Sequence, residues 1–191
     1  QFHAFSTNED ALAYEAKVDK VLGDIEKCEV PTIAAITGAC TGGGAAIAAA
    51  CDIRIADTRL KFGFPIAKTL GNCLSIANLN RLSVLMGAGR LRETILTARL
   101  IGSEEALNCG LISEILETAE AVHQRAQELA ALLATHAPLT MQATKEALRR
   151  LRSEGPGADG SDLIIKTYMS EDFKEGLTAF LNKRPPEWKG K

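Results

Sequence analysis

The stretch PTIAAITGACTGGGAAIAAACDIRIA, residues 31–56, decides how this chain folds. Pro31 stops a preceding helix, and Thr32 to Thr37 form a short apolar run of the kind found in a strand buried on both faces. Gly38 to Gly44 follow as a loop free to adopt backbone angles that side-chain-bearing residues avoid. Ala45 to Cys51 are small and apolar, which predicts a short, deeply buried helix opening at the glycines. Asp52 ends it, and Ile53 to Ala56 read as another strand. Amides at a helix N-terminus point outward and favour negative charge, so an oxyanion would bind at Gly42-Gly43-Gly44. Three glycines equally let a helix pack closely on a sheet, and the triplet by itself does not choose between the two readings.

Upstream, Ser6 and Glu9 have capping-box spacing. They introduce an amphipathic helix over about 9–27, with Leu12, Val18, Val21, Leu22 and Ile25 on one stripe. Downstream, Phe62-Gly63-Phe64-Pro65 is a turn or strand exit. Leu74 to Met86 carry apolar residues at helical spacing, broken at Gly87 to Gly89. Two short helices are expected next, at Thr94 to Thr97 and from Ser103, as N-cap, to a stop at Gly110. A longer helix over 118–134 would turn Val122, Ala126, Leu129 and Leu133 inward. Another runs from Pro138 to about Arg152, a polar glycine-rich connector spans 153–160, and the last helices cover about 161–182. The order is an α/β core over 1–117 and a helical region over 118–191.

Composition excludes several classes of function. With 22 basic and 24 acidic residues the formal charge is -2, which gives no field to recruit nucleic acid or an anionic membrane. Cysteines 28, 40, 51, 73 and 109 are odd in number and form no C-x-x-C pair, so neither a disulfide framework nor a zinc knuckle is indicated, and a reducing cytoplasm is the expected setting. No run approaches the ~18 apolar residues of a membrane span. The phosphate-loop patterns fail, since no Lys-Ser/Thr follows the glycines and no G-x-G-x-x-G opens a helix. His3, His123 and His136 share no motif and argue for no metal site.

Five segments in order carry a resemblance: PTIAAITGACTGGG at 31–44, CDIRIA at 51–56, FGFP at 62–65, LTARLI with ALNCGLI at 96–101 and 106–112, and FLNKRPPEWKG at 180–190. Together they resemble the crotonase superfamily, the enoyl-CoA hydratase/isomerase family, from about residue 26 to the C-terminus. The resemblance implies a stack of ββα turns, a helical C-terminal trimerisation region, and hence a homotrimer or hexamer. It also implies an acyl-CoA thioester as substrate, with its carbonyl oxygen held by two backbone amides. Gly43, with Gly42 before it, matches one donor. The other would lie in an Ala-Gly-x-Asp-Ile type of turn falling before Gln1, and the opening Gln1-Phe2-His3-Ala4-Phe5 reads as a start inside a larger domain, with the N-terminal part of the fold outside this sequence. No cofactor is expected beyond the coenzyme A that the substrate carries.

Hydratases of the family deliver water with two glutamates, whose places match Ala46 and Ile66 here. Neither side chain can carry a proton, so the hydratase route lacks its acid and base. Lys68, Thr69, Asn72, Cys73 and Ser75 are nearby substitutes that could line an acyl site. Cys73 is the most reactive of them, or else a small buried hydrophobe. Asp52 reads as a structural helix-end residue. Lys183, Arg184, Lys189 and Lys191 could meet CoA phosphates, as this segment does in the family, or could form a solvated tail; Trp188 and Phe180 could pack near the adenine or anchor that tail. Three functions follow: an acyl-CoA enzyme using a backbone oxyanion hole, a non-catalytic acyl-CoA-binding or partner subunit, and a serine-protease relative, for which no Ser/His motif is present.

Overall fold

The computed structural model describes residues 6–191. Helix α1 (Asn8–Glu26) opens the described chain. Its N-cap is Thr7, whose side chain accepts from the amide of Asp10 while the Asp10 carboxylate accepts from the amide of Thr7. The capping box therefore sits one residue later than Ser6 and Glu9; Ser6 joins it by donating its amide and its hydroxyl to Asp10. The inward face of α1 is Tyr14, Glu15, Val18, Asp19 and Leu22, and only Leu22 is fully buried. Leu12 and Val21, expected on the apolar stripe, are exposed.

Strand β1 (Ile33–Ile36) is followed at once by β2 (Ala39–Thr41), a strand where the sequence suggested only loop. Helix α2 (Gly43–Ala50) then runs into β3 (Ile53–Asp57), β4 (Lys61–Gly63) and a 3-10 turn at Pro65–Ala67. Helix α3 (Ile76–Met86) begins at the N-cap Ser75, and α4 (Ala88–Leu96) starts directly after Gly87. The expected helix at Thr94 to Thr97 is only the end of α4, because Gly89 is accommodated inside the helix instead of breaking it. Helix α5 (Ser103–Asn108) has Gly102, not Ser103, as N-cap. The Ser103 hydroxyl instead donates to the carbonyl of Thr58. Strand β5 (Glu114–Leu116) precedes α6 (Ala119–Leu133), α7 (Pro138–Glu154), α8 (Ser161–Tyr168) and α9 (Glu171–Leu181).

Two parallel sheets result, one ordered β1-β3-β5 and the other β2-β4. Ile33 pairs with Ile53 through to Ile36 with Ala56, and Ala39 pairs with Lys61 through to Thr41 with Gly63. The pairs β1-β2 and β3-β4 thus each contribute one strand to each sheet, and β5 adds a third strand to the first, in keeping with the stack of ββα turns that the resemblance implied. Parallel pairing requires such crossovers, since a hairpin cannot return a strand in the same direction.

The core is an apolar cluster between these layers, with Ala45, Ala46, Ala48, Ala49 and Ala50 of α2 packed among Leu22, Ile36, Phe62, Phe64 and Leu82. Small side chains let α2 pack closely against β2, α1 and α3. At its far end Arg54 is buried and donates to the carbonyls of Leu111, Ala48, Cys51 and Asp52, so it satisfies the orphan end of the helix. Asp52 accepts from the amide and hydroxyl of Thr32, at 2.7 and 2.8 Å, and from Lys145 of α7. Its role is the structural one expected. Helix α6 packs on β1 and β3 with Val122 fully buried.

Candidate functional site

Three features build the glycine turn. Gly42, the N-cap of α2, has φ 55° and ψ -121°, a conformation that a side chain would resist. Its amide donates to the carbonyl of Gly63 at 3.1 Å, tying the mouth of one layer to the end of β4 in the next. Gly63 has φ +151°, and a Cβ there would lie 3.1 Å from Leu100 and 3.3 Å from the carbonyl of Arg99. The close packing of β4 against the Arg99-Leu100 segment therefore depends on glycine at position 63.

The first intrahelical bond of α2 runs from the amide of Ala46 to the carbonyl of Gly42 at 3.0 Å. The amides of Gly43, Gly44 and Ala45 therefore have no acceptor inside the helix. Ala45 is buried, whereas Gly43 and Gly44 are exposed, and a Cβ at either would meet nothing within 4 Å. Two outward N–H groups at the positive end of a helix thus face open space, where an anionic oxygen can approach.

Ala46 and Ile66 lie in the apolar core cluster, both buried, and neither presents a polar atom. The neighbouring cysteine, Cys40 on β2, is buried too, and burial pushes its thiol up to about 11, so it is inert.

Ile66 belongs to the 3-10 turn that leads from Gly63 into the loop before α3. Ile66 lies three positions after Gly63, a span of at most about 11 Å. The loop is fixed at both ends. The amide of Gly71 donates to the carbonyl of Ile66 at 2.8 Å, and the Ser75 hydroxyl donates to Asp19 of α1 at 2.7 Å while capping α3. Between these ties, Leu70, Gly71, Asn72 and Cys73 face Ala11, Tyr14 and Glu15 of α1 across a cavity of about 500 Å³.

Of the substitutes suggested by sequence, Asn72 and Cys73 line this cavity. Cys73 is exposed, which corrects the reading of it as a buried hydrophobe. Thr69 and Ser75 are committed elsewhere, to the carbonyl of Pro65 and to Asp19. Lys68 is exposed and does not line the cavity. Sequence reasoning missed Tyr14 and Glu15. Their signal was the spacing Tyr14, Glu15, Val18, Leu22, which places them on the face of α1 that turns inward.

A larger groove, of about 720 Å³, lies at the opposite end of α2 and is lined by Ala49, Ala50, Cys51, Asp52, Arg54 and faces of α3 and α7. The last carbonyls of α2 point that way and are met by Arg54, and Arg81, Lys145, Arg149 and Arg152 line the groove beside Glu26 and Asp52. At its edge Arg81 grips Glu26 with two bonds of 2.8 Å and Arg152 adds one of 2.6 Å. Burial alone would raise the Glu26 carboxyl, but Arg81 and Arg152 outweigh it and hold the group below its ordinary value.

The tail is anchored. Asp172, buried at the start of α9, accepts from the amides of Lys189 and Gly190 at 2.7 and 2.9 Å. The ring of Trp188 lies over Gly176, which favours the anchoring reading of that residue, and Arg184 is engaged with Glu175. Phe180 is largely exposed and lines a cavity together with Trp188, while Lys183 is exposed just past α9 and does not line the cavity beside Cys73. His123 and His136 are exposed; His3 lies outside the described residues. Among the described residues no group of three His, Cys, Asp or Glu could hold a metal, and no helix is long and apolar enough to cross a membrane.

Comparison with known proteins gives a consistent result. A family model described as enoyl-CoA hydratase/isomerase matches residues 3–191. A short-chain-enoyl-CoA hydratase of Clostridium acetobutylicum is 36% identical over 172 residues, which are 88% of this chain and 65% of that protein. The mitochondrial methylglutaconyl-CoA hydratase of Mus musculus is 35% identical, over 93% of this chain and 58% of that protein. The chain thus spans about two thirds or less of the length of these relatives. Among solved structures, an enoyl-CoA hydratase/isomerase family protein from Hyphomonas neptunium superposes with a TM-score of 0.85 at 35% identity, covering 97% of this chain and 71% of that one.

Proposed function

The chain belongs to the enoyl-CoA hydratase/isomerase family, and from that premise we propose that it acts on an acyl-CoA thioester whose carbonyl oxygen is held by the backbone amide of Gly43. The observation that carries this reading is the pair of outward amides at Gly43 and Gly44, open to solvent at the N-terminus of α2. A donor of this kind stabilises the enolate-like charge that develops beside a thioester, typically by ~2.7–4 kcal/mol. The acyl chain would extend toward the loop at 70–73, with Gly42, Ala46 and Ile66 as walls near the thioester and Cys73 along the chain. Lys183 would meet the coenzyme A portion from the tail.

Since Ala46 and Ile66 cannot carry protons, the reaction would not follow the two-glutamate hydration route, and crotonyl-CoA would be hydrated slowly. The binding-only reading draws on the same two residues, but the relatives compared above are named as enzymes. Further parts of the proposal are a homotrimer or hexamer, no cofactor beyond the coenzyme A of the substrate, a cytoplasmic setting, and the division into a core over 1–117 and a helical region over 118–191. The wide exposed apolar faces of α8 and α9, with Ile164, Ile165, Leu177 and Leu181, support self-association.

The test is a melting series with short, branched and aromatic acyl-CoAs, followed by turnover on the corresponding enoyl-CoAs. At about 100 times the dissociation constant, stabilisation should reach ~2.7 kcal/mol. Absence of any shift at millimolar ligand would refute the acyl-CoA reading.

A further inference from the structure

We propose that the groove of about 720 Å³ at the C-terminal end of α2 is a second binding site, taking a free long-chain carboxylate whose alkyl chain lies along its apolar walls and whose head group supplies the negative charge that the groove lacks. The site is separate from the glycine turn, which lies at the other end of this eight-residue helix, about 12 Å away.

The lining comes from α3 and α7, the ends of α2 and α6, and Arg54 of β3. Along α7 the lining residues Met141, Lys145, Leu148 and Arg152 recur every three or four positions, so one face of the helix looks into the groove. Val84 and Leu148 remain 65% and 61% exposed, which leaves apolar wall for an alkyl chain to cover. A mostly apolar groove of this size with a few polar groups falls in the usual range for small ligands. A partner helix, about 10 Å across, would place only about six residues in that volume, fewer than two turns, which favours a single-chain ligand.

Charge selects the head group. Five cationic side chains line the groove against two carboxylates. Glu26 is taken by Arg81 and Arg152, and Asp52 by Lys145, which leaves Arg149 and Arg54. Arg149 is met by Glu146, outside the lining. Arg54 is 7% exposed, donates four times, always to backbone carbonyls, and among the described residues makes no ion pair. A guanidinium carries five donors, so one N–H on Nη2 has no acceptor among the described residues. Burial lowers the Arg54 pKa from its ordinary value and outweighs the opposing influence of Cys51 and Asp52. A buried cation without a counter-ion is costly, and a carboxylate in the groove removes that cost. The surplus is a single charge, which a monovalent carboxylate matches and a dianionic phosphate would overshoot.

The experiment uses the full chain with sodium dodecanoate, read by thermal melting and titration calorimetry, and dodecyltrimethylammonium as the same chain bearing the opposite charge, both below their micelle-forming concentrations. Dodecanoate is expected to bind and raise the melting temperature, and dodecyltrimethylammonium to do neither. Leu148→Glu places a carboxylate at an exposed position on the groove wall, so it should fold normally and weaken dodecanoate at least about tenfold, the worth of one charge-assisted contact. Gly43→Pro, at the far end of α2, should leave dodecanoate affinity within twofold. Three results would each overturn the proposal: no binding of dodecanoate, equal binding of dodecyltrimethylammonium, or an affinity that Leu148→Glu leaves unchanged. A loss in Gly43→Pro as large as in Leu148→Glu would place the ligand at the glycine turn and overturn it as well. So would sedimentation in which Leu148→Glu breaks up an assembly that the unmodified chain forms without ligand, since the groove would then be covered by a second copy of this chain.

Discussion

Gly43→Pro isolates the backbone donor from every other property of the glycine turn. Gly43 is the first residue of α2, the position at which proline is favoured because its missing N–H has no intrahelical partner. A Cβ at this position meets no atom within 4 Å, and the first helical bond, from Ala46 to Gly42, is untouched. The expected change in stability is therefore below about 1 kcal/mol. The catalytic loss should be far larger, since removing one oxyanion donor costs about 10²–10³-fold, or ~2.7–4 kcal/mol. Gly43→Ala, which keeps the amide, should stay within about tenfold of the original rate. The assay is turnover on the enoyl-CoAs named above, with thermal melting of each variant alongside. If Gly43→Pro melts normally and turns over within threefold of the unmodified chain, the amide of Gly43 does not hold the oxygen and the placement of the site is refuted.

Other perturbations test the frame around it. Ala46→Glu places a carboxylate in the apolar cluster beneath the glycine turn, so its melting temperature should fall, and a gain in crotonyl-CoA hydration would appear only if the new side chain reaches the thioester. Arg54→Met strips two buried carbonyls, of Leu111 and Ala48, of their donor, and a loss of about 2–5 kcal/mol should appear in urea unfolding. Glu26 is held below its ordinary pKa, so its contribution is present above the unfolded value and is lost as pH falls through the folded one. Unfolding free energy should accordingly drop below about pH 4.5, and Glu26→Gln should flatten that part of the curve.

Much of the architecture was legible because it is written in contiguous residues. Pro31, the apolar run after it, the glycines and the alanines gave β1, α2 and β3 with errors of a residue or so at their ends. The strands β2, β4 and β5 were not legible. Each is three residues long, too short for an alternation to show, and each exists because a partner in another layer pairs with it. Helix α4 was obscured by Gly89, whose intrinsic preference is overridden by packing. Near the glycine turn, local motif order placed Gly43 at the start of α2, and the structure puts Ala46 and Ile66 in the apolar cluster. Tyr14 and Glu15 were marked locally only by the spacing that turns them inward on α1, and the cavity they line depends on a loop more than fifty positions away.

The bond from the amide of Gly42 to the carbonyl of Gly63 has a consequence for how such a protein changes over generations. It couples the anion-holding corner to the path of the main chain, so that corner is inherited as shape and is indifferent to most neighbouring side chains. The cavity between α1 and the loop at 70–73 is built by other segments, none of which belongs to that corner. A lineage can therefore exchange residues along that cavity while the shape of the corner persists unchanged. Whatever side chains stand at positions 46 and 66, the corner itself needs none of them to keep its shape.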